Sequence, residues 1–181
     1  MENAQEFTIL VIDPQKGWIN EHTEKLFENI WSFISNYELS NRTVITTFAN
    51  TPKSKFRKLL PWWDGFMGKT DTQIVPPFAE SQIPVFKRKT YGMPQSLWRE
   101  LRLRKVDELL ITGVETDASV IKTAMDAFDR GINSWIIAEL VGSTYGEQGQ
   151  KAGLEIARKV LGNERVCSSV NEFLQRALLR A

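Results

Sequence analysis

Residues 108–124 read Glu108-Leu109-Leu110-Ile111-Thr112-Gly113-Val114-Glu115-Thr116-Asp117-Ala118-Ser119-Val120-Ile121-Lys122-Thr123-Ala124. The first five, Glu108 to Thr112, form a short apolar run of the kind that fills a strand covered on both faces of a sheet. From Asp117 to Arg130 the apolar positions recur at helical spacing, and Gly131 follows as a helix-ending glycine. A strand that leads through a glycine turn into an amphipathic helix is half of a βαβ unit.

The same alternation extends in both directions. Upstream, Phe7–Ile12 reads as a buried strand ending at Asp13-Pro14. Thr23–Tyr37 reads as a helix with Leu26, Phe27, Ile30, Trp31 and Ile34 on one face. Arg42–Phe48 and Ile83–Lys87 are the second and third strands, separated by a long aromatic-rich stretch, and Pro94–Arg104 is a helix with proline suited to its first turn. Downstream, Ser134–Ala138 is the fifth strand, Gln148–Leu161 a helix stopped by Gly162, Arg165–Cys167 a short sixth strand and Val170–Leu179 a closing helix. The pattern predicts one α/β domain over residues 1–181, a Rossmann-like three-layer fold with a six-stranded parallel sheet in the common order 3-2-1-4-5-6. Ligands of such sheets bind beyond the carboxyl ends of the strands where the order reverses. Here that means just after Ile12 and just after Thr112.

Composition narrows the function. With 23 basic and 22 acidic residues, nothing at whole-chain level selects nucleic acid or an anionic membrane, so neither is expected as a partner. The run Lys53–Lys58 (KSKFRK) reads as a solvated helix face. No apolar stretch approaches the roughly 20 residues needed to span a bilayer. MENAQEF lacks the layout of a secretory signal, and the single cysteine, Cys167, fits a reducing compartment, so a cytoplasmic location is expected. The lone histidine, His22, excludes a histidine cluster and reads as a solvated helix-start residue.

Two segments at the switch point can carry chemistry. Asp13 ends the first strand, where partial burial would tune a general base; an Asp-Pro turn with a capping carboxylate explains it equally well. Ser119 lies in the first turn of a helix, where the positive end of the macrodipole and free N–H groups favour an anion.

Gly113-Val114-Glu115-Thr116-Asp117-Ala118-Ser119-Val120, followed by Thr123-Ala124, resembles the Gly-Val-x-Thr-Asp-x-Cys-Val segment of the isochorismatase-like cysteine hydrolases, which include nicotinamidases and N-carbamoylsarcosine amidases. Asp13-x-Gln15, Phe48-Ala49-Asn50-Thr51-Pro52 with Leu59-Leu60 and Trp62, and Glu139 to Ser143 match further segments in order, so the resemblance spans about residues 7 to 167. It implies hydrolysis of a C–N amide bond in a small molecule. Asp13 would be the base, and the backbone N–H groups of Glu115 and Ser119 the oxyanion donors beside a cis peptide at Val114–Glu115. A homo-oligomer is also implied. The histidines used by the nicotinamidase branch are absent, so no metal and no cofactor are expected.

Two positions depart from the pattern. Ser119 replaces the nucleophilic cysteine, and a hydroxyl needs a hydrogen-bonded base that a thiol does not. Counting back from Tyr91 puts Arg88 where the family has lysine; Lys87 and Lys89 flank it and face the other way unless the strand bulges. Arg88 with Lys89 is taken as the electrostatic partner of the site. The sequence is compatible with a slow serine hydrolase, with a catalytically silent binding or scaffold protein, and with a cysteine replaced to trap substrate. Trp18, Trp62 and Tyr91 are the candidate ligand-contacting aromatics.

Overall fold

The structure, a computed structural model, describes residues 7–178. Six parallel strands form one sheet: β1 (Thr8–Ile12), β2 (Thr43–Phe48), β3 (Val85–Arg88), β4 (Glu108–Val114), β5 (Asn133–Gly142) and β6 (Val166–Cys167). Their order is β3-β2-β1-β4-β5-β6, the order expected from the sequence. The helices are α1 (Leu26–Asn36), α2 (Lys55–Leu59), α3 (Gln95–Leu103), α4 (Ile121–Phe128), α5 (Gly146–Leu161) and α6 (Val170–Leu178). Leu179, expected to close the last helix, lies outside the described residues.

Alternation along the strands makes two cores. Ile9, Val11 and Ile45 point to one face and pack with Phe27, Ile30 and Ile34 of α1 and Phe173 of α6. Leu10, Ile12 and Val44 point to the other and pack with Leu97 and Leu101 of α3, Ala124 of α4 and Leu154 of α5. Because helices cover both faces, every residue of β1 and β4 is buried, which is why these strands read as continuous apolar runs.

The central strands end level with each other. Ile12 of β1 is in register with Gly113 of β4 and with Thr46 of β2, while Phe48 of β2 is in register with Arg88 of β3. The chain segments that follow β1, β3 and β4 therefore emerge on one edge. Gly113 permits the closest approach there: its φ is +99°, and a Cβ would lie 2.2 Å from the carbonyl oxygen of Ile12.

Two expectations are corrected. The third strand begins at Val85 rather than Ile83, after Pro84, and ends on Arg88. The fifth runs on to Gly142, so the Glu139–Ser143 segment lies within and at the end of the strand instead of after it. A register shift between Ile111 and Gly113 lets β5 continue beside β4.

Candidate functional site

Asp13 is delivered by the turn after β1. Its φ of +52° is in the left-handed region, which Asp enters more readily than most residues. Its N–H donates to the Thr46 carbonyl at 3.1 Å, and its side chain is fully buried. Oδ1 accepts from Thr46 Oγ1 at 2.8 Å and from Arg88 Nε at 3.1 Å, and Oδ2 accepts from Arg88 Nη2. This is the two-pronged guanidinium–carboxylate geometry that a lysine cannot reproduce. Burial pushes the Asp13 carboxyl up from its ordinary range, while the charge and hydrogen bonds of Arg88 and the Thr46 hydroxyl pull it down.

Arg88 is 4% exposed, and its guanidinium carbon lies 5.1 Å from the centroid of the Phe48 ring. The β2–β3 register is unbroken from Ile45–Val85 to Phe48–Arg88, so strand alternation turns Arg88 inward and leaves Lys87 and Lys89 exposed. The expected Arg88/Lys89 pair is thereby corrected: Arg88 alone meets Asp13, and Lys89 does not line the cavity.

Gln15, two residues beyond Asp13, fixes this edge. Its side chain accepts from the Phe48 N–H at 2.7 Å and donates to the Phe48 carbonyl at 3.0 Å and to the Thr72 carbonyl at 3.0 Å. A buried side-chain amide thus behaves as one more backbone unit beside β2.

Ser119 arrives by a different local structure from the regular helix expected at Asp117. The Val114–Glu115 peptide is cis, and Thr116–Val120 forms a π-helical turn before α4 begins. The Glu115 carbonyl accepts from the N–H of Ala118 at 3.1 Å and from that of Val120 at 3.0 Å. Helix α5 presses on this turn: Thr116 Oγ1 donates to Gln150 Oε1 at 2.5 Å, and a Cβ on Gly153 would stand 2.6 Å from the Thr116 carbonyl carbon. Ser119 itself is 3% exposed.

Ser119, Glu115 and Arg88 share a cavity of about 280 Å³ at the carboxyl edge of the sheet. Half of its lining residues are aromatic, among them Trp18, Phe48, Phe56, Trp62, Trp63 and Tyr91. Asp13 does not line it; the carboxylate reaches the cavity only through Arg88. Trp18 stacks on Phe66 at 4.3 Å between centroids, and its buried Nε1 has no hydrogen-bond partner among the described residues. Trp62 is 77% exposed at the rim, and Tyr91 packs on Phe56 at 4.9 Å.

Sequence reasoning named Glu115 only for its backbone N–H. The structure adds the side chain: Oε2 accepts from the Thr144 N–H at 2.8 Å and Oε1 from Thr144 Oγ1 at 2.5 Å. Burial pushes this carboxyl above its usual range; the Thr144 bonds oppose that, the Asp117 charge adds to it and Ser143 opposes it. Thr144 and Tyr145 also line the cavity and were not foreseen, because the strand before them was expected to end sooner. Glu139 accepts from the Val170 N–H at the start of α6 and takes no part in the cavity. His22 is about half exposed beside Glu21, and the described residues hold no group of three or more His, Cys, Asp or Glu side chains arranged for a metal ion.

Comparison with known proteins bears on the fold and the family. The fold is similar to a cysteine hydrolase from Pseudomonas syringae pv. phaseolicola, with a TM-score of 0.80 and 15% identity over 97% of this chain and 93% of that one. Nicotinamidase from Bacillus subtilis gives a TM-score of 0.73 and 16% identity over 91% of this chain and 100% of that one. N-carbamoylsarcosine amidase from Thermoplasma acidophilum gives 0.71 and 17% over 90% of this chain and 95% of that one. No curated protein sequence matches. The model of the isochorismatase domain matches residues 7–169, and the chain belongs to that family.

Proposed function

We propose that this protein binds a small molecule in the aromatic cavity beside Ser119 and does not hydrolyse it at an ordinary enzyme rate. The observation that carries this reading is the capture of both Asp13 oxygens by Arg88, with Thr46 on one of them. A general base must present a free lone pair within hydrogen-bond reach of the proton it takes. Asp13 is buried behind Arg88, and a guanidinium keeps its proton throughout the working pH range, so it can neither free the carboxylate by neutralising itself nor relay the proton. A serine hydroxyl without a base is a poor nucleophile.

Amide hydrolysis is the second reading. It is favoured by the placement of Ser119 and Glu115 on one cavity wall, where a helix start can receive an oxyanion. In that reading Asp13, released from Arg88, takes the Ser119 proton as the serine oxygen bonds to the amide carbon, the Glu115 and Ser119 N–H groups hold the oxyanion, the proton passes to the nitrogen as the C–N bond breaks and ammonia leaves, and water then cleaves the Ser119 ester to give the acid. The test is ammonia release by purified wild-type protein from a panel of small carboxamides, beside binding of the same amides followed by tryptophan fluorescence. Binding with turnover far below about 1 s⁻¹ supports the first reading, and turnover at or above it the second.

A further inference from the structure

The charges on the cavity wall do not match an anion. Two carboxylates, Glu115 and Asp117, line it, against one guanidinium, that of Arg88. Arg88 is already neutralised by Asp13, which leaves the partly buried Glu115 carboxylate as the wall's uncompensated charge, with the exposed, solvent-screened Asp117 adding less. The basic run nearby does not offset this at contact range. Arg57 donates to the carbonyls of Pro61 and Trp63, while Lys53, Lys55 and Lys58 are exposed and do not line the cavity. Charges exposed to solvent are screened within about 8 Å at physiological salt.

The rest of the wall is aromatic. Trp18, Trp62, Trp63 and Tyr91 line it, and aromatic rings around a small space attract a cation, most strongly one that carries few hydrogens to be solvated. Phe48 already has the Arg88 guanidinium over its ring at 5.1 Å, an internal example of the same contact. Glu115 is held in place by the N–H and hydroxyl of Thr144, so its carboxylate is oriented before any ligand arrives.

We infer that the cavity selects a small organic cation, an aliphatic ammonium group seated among the Trp18, Trp62 and Trp63 rings and opposite the Glu115 and Asp117 carboxylates. This rests on the reading of the cavity as a ligand site and adds the chemical class of the ligand. Choline and its carbon isostere 3,3-dimethylbutan-1-ol, which differ in the charged atom and little in shape, separate the two ideas.

Dissociation constants for both compounds are measured by tryptophan fluorescence and calorimetry on wild-type protein, Glu115→Gln and Asp117→Asn, with the fold of each variant checked by thermal unfolding. Choline should bind at least about tenfold tighter than the alcohol, and the ratio should fall severalfold in each variant. Glutamine keeps an oxygen for Thr144, so a lost preference in a normally folded Glu115→Gln protein reports the charge. Equal affinities, a preference for the alcohol, or no saturable binding of choline overturns the inference. Binding of the alcohol without preference would leave the cavity a ligand site while removing the cation. Ordinary amide turnover with choline preference intact would remove the non-hydrolytic reading while keeping the cation.

Discussion

Replacing Arg88 by leucine tests the buried ion pair, because it removes the charge while filling much of the space. Asp13 is fully buried, so losing its partner leaves a carboxylate that water cannot reach. Breaking a buried pair from one side costs about 3–5 kcal/mol. The carboxyl sets its own ceiling, because it can take up a proton. Keeping a group of ordinary value 3.8 neutral at pH 7 costs about 4 kcal/mol, and at pH 5 about 1.6 kcal/mol. The folded variant then holds a proton that the unfolded chain has released, so its stability falls as pH rises from 3.8 through the raised folded value. Wild type shares the sign, since burial raises Asp13 there too, but stability is lost over a narrower pH window because Arg88 opposes the rise. Loss of packing against Phe48 and of the hydrogen bond to the Thr90 carbonyl adds a part that does not vary with pH. The assay is urea unfolding at pH 5, 6 and 7 for wild type, Arg88→Leu and the double variant Asp13→Asn with Arg88→Leu. The single variant should lose about 4 kcal/mol or more at pH 7 and clearly less at pH 5, and the double variant should lose the extra pH slope. A cost under about 1 kcal/mol at pH 7, or one equal at both pH values, would mean that the Asp13 carboxylate does not depend on Arg88.

Other outcomes follow from the same geometry. Choline affinity should weaken on acidification, starting above the pH at which a solvated glutamate titrates, because burial raises Glu115 and only its ionised form attracts the cation; titrations against pH should be flatter in Glu115→Gln. Trp62→Ala should weaken ligand binding severalfold yet shift the melting temperature little, since that side chain is 77% exposed. Gly153→Ala should cost about 1–3 kcal/mol in urea unfolding, because the new methyl would meet Thr116 backbone that cannot rotate away.

The fold was legible because a parallel sheet with covered faces writes its strands as apolar runs, and the glycines after α4 and α5 punctuate them. Strand ends were less legible. β5 runs four residues past its expected end, the last two, Val141 and Gly142, paired with β4 across an irregularity, and pairing between distant segments leaves little trace in local sequence. Alternation alone could place Arg88, yet Lys89 was kept as its partner in case the strand bulged; the unbroken β2–β3 register is what removes it. The bidentate grip of Arg88 on Asp13 was not readable, since the distance between two strand ends depends on the sheet order and register. The Glu115 side chain escaped notice for another reason: its partner Thr144 lies 29 residues away, beyond a strand expected to end sooner. Phe56 was noted only as a ring interleaved in a basic run, because one buried ring on a short helix looks like any solvated helix with a hydrophobic spacer.

In the proposed function Arg88 holds Asp13 out of proton transfer, so that a thiol introduced at position 119 does not by itself give catalysis. The most direct measurement is ammonia release from small carboxamides by Ser119→Cys, Arg88→Lys and the two combined. Ser119→Cys should stay well below about 1 s⁻¹, and the double variant should exceed both single ones by more than their separate effects combine to give. Turnover of about 1 s⁻¹ or faster by Ser119→Cys with Arg88 in place would contradict it.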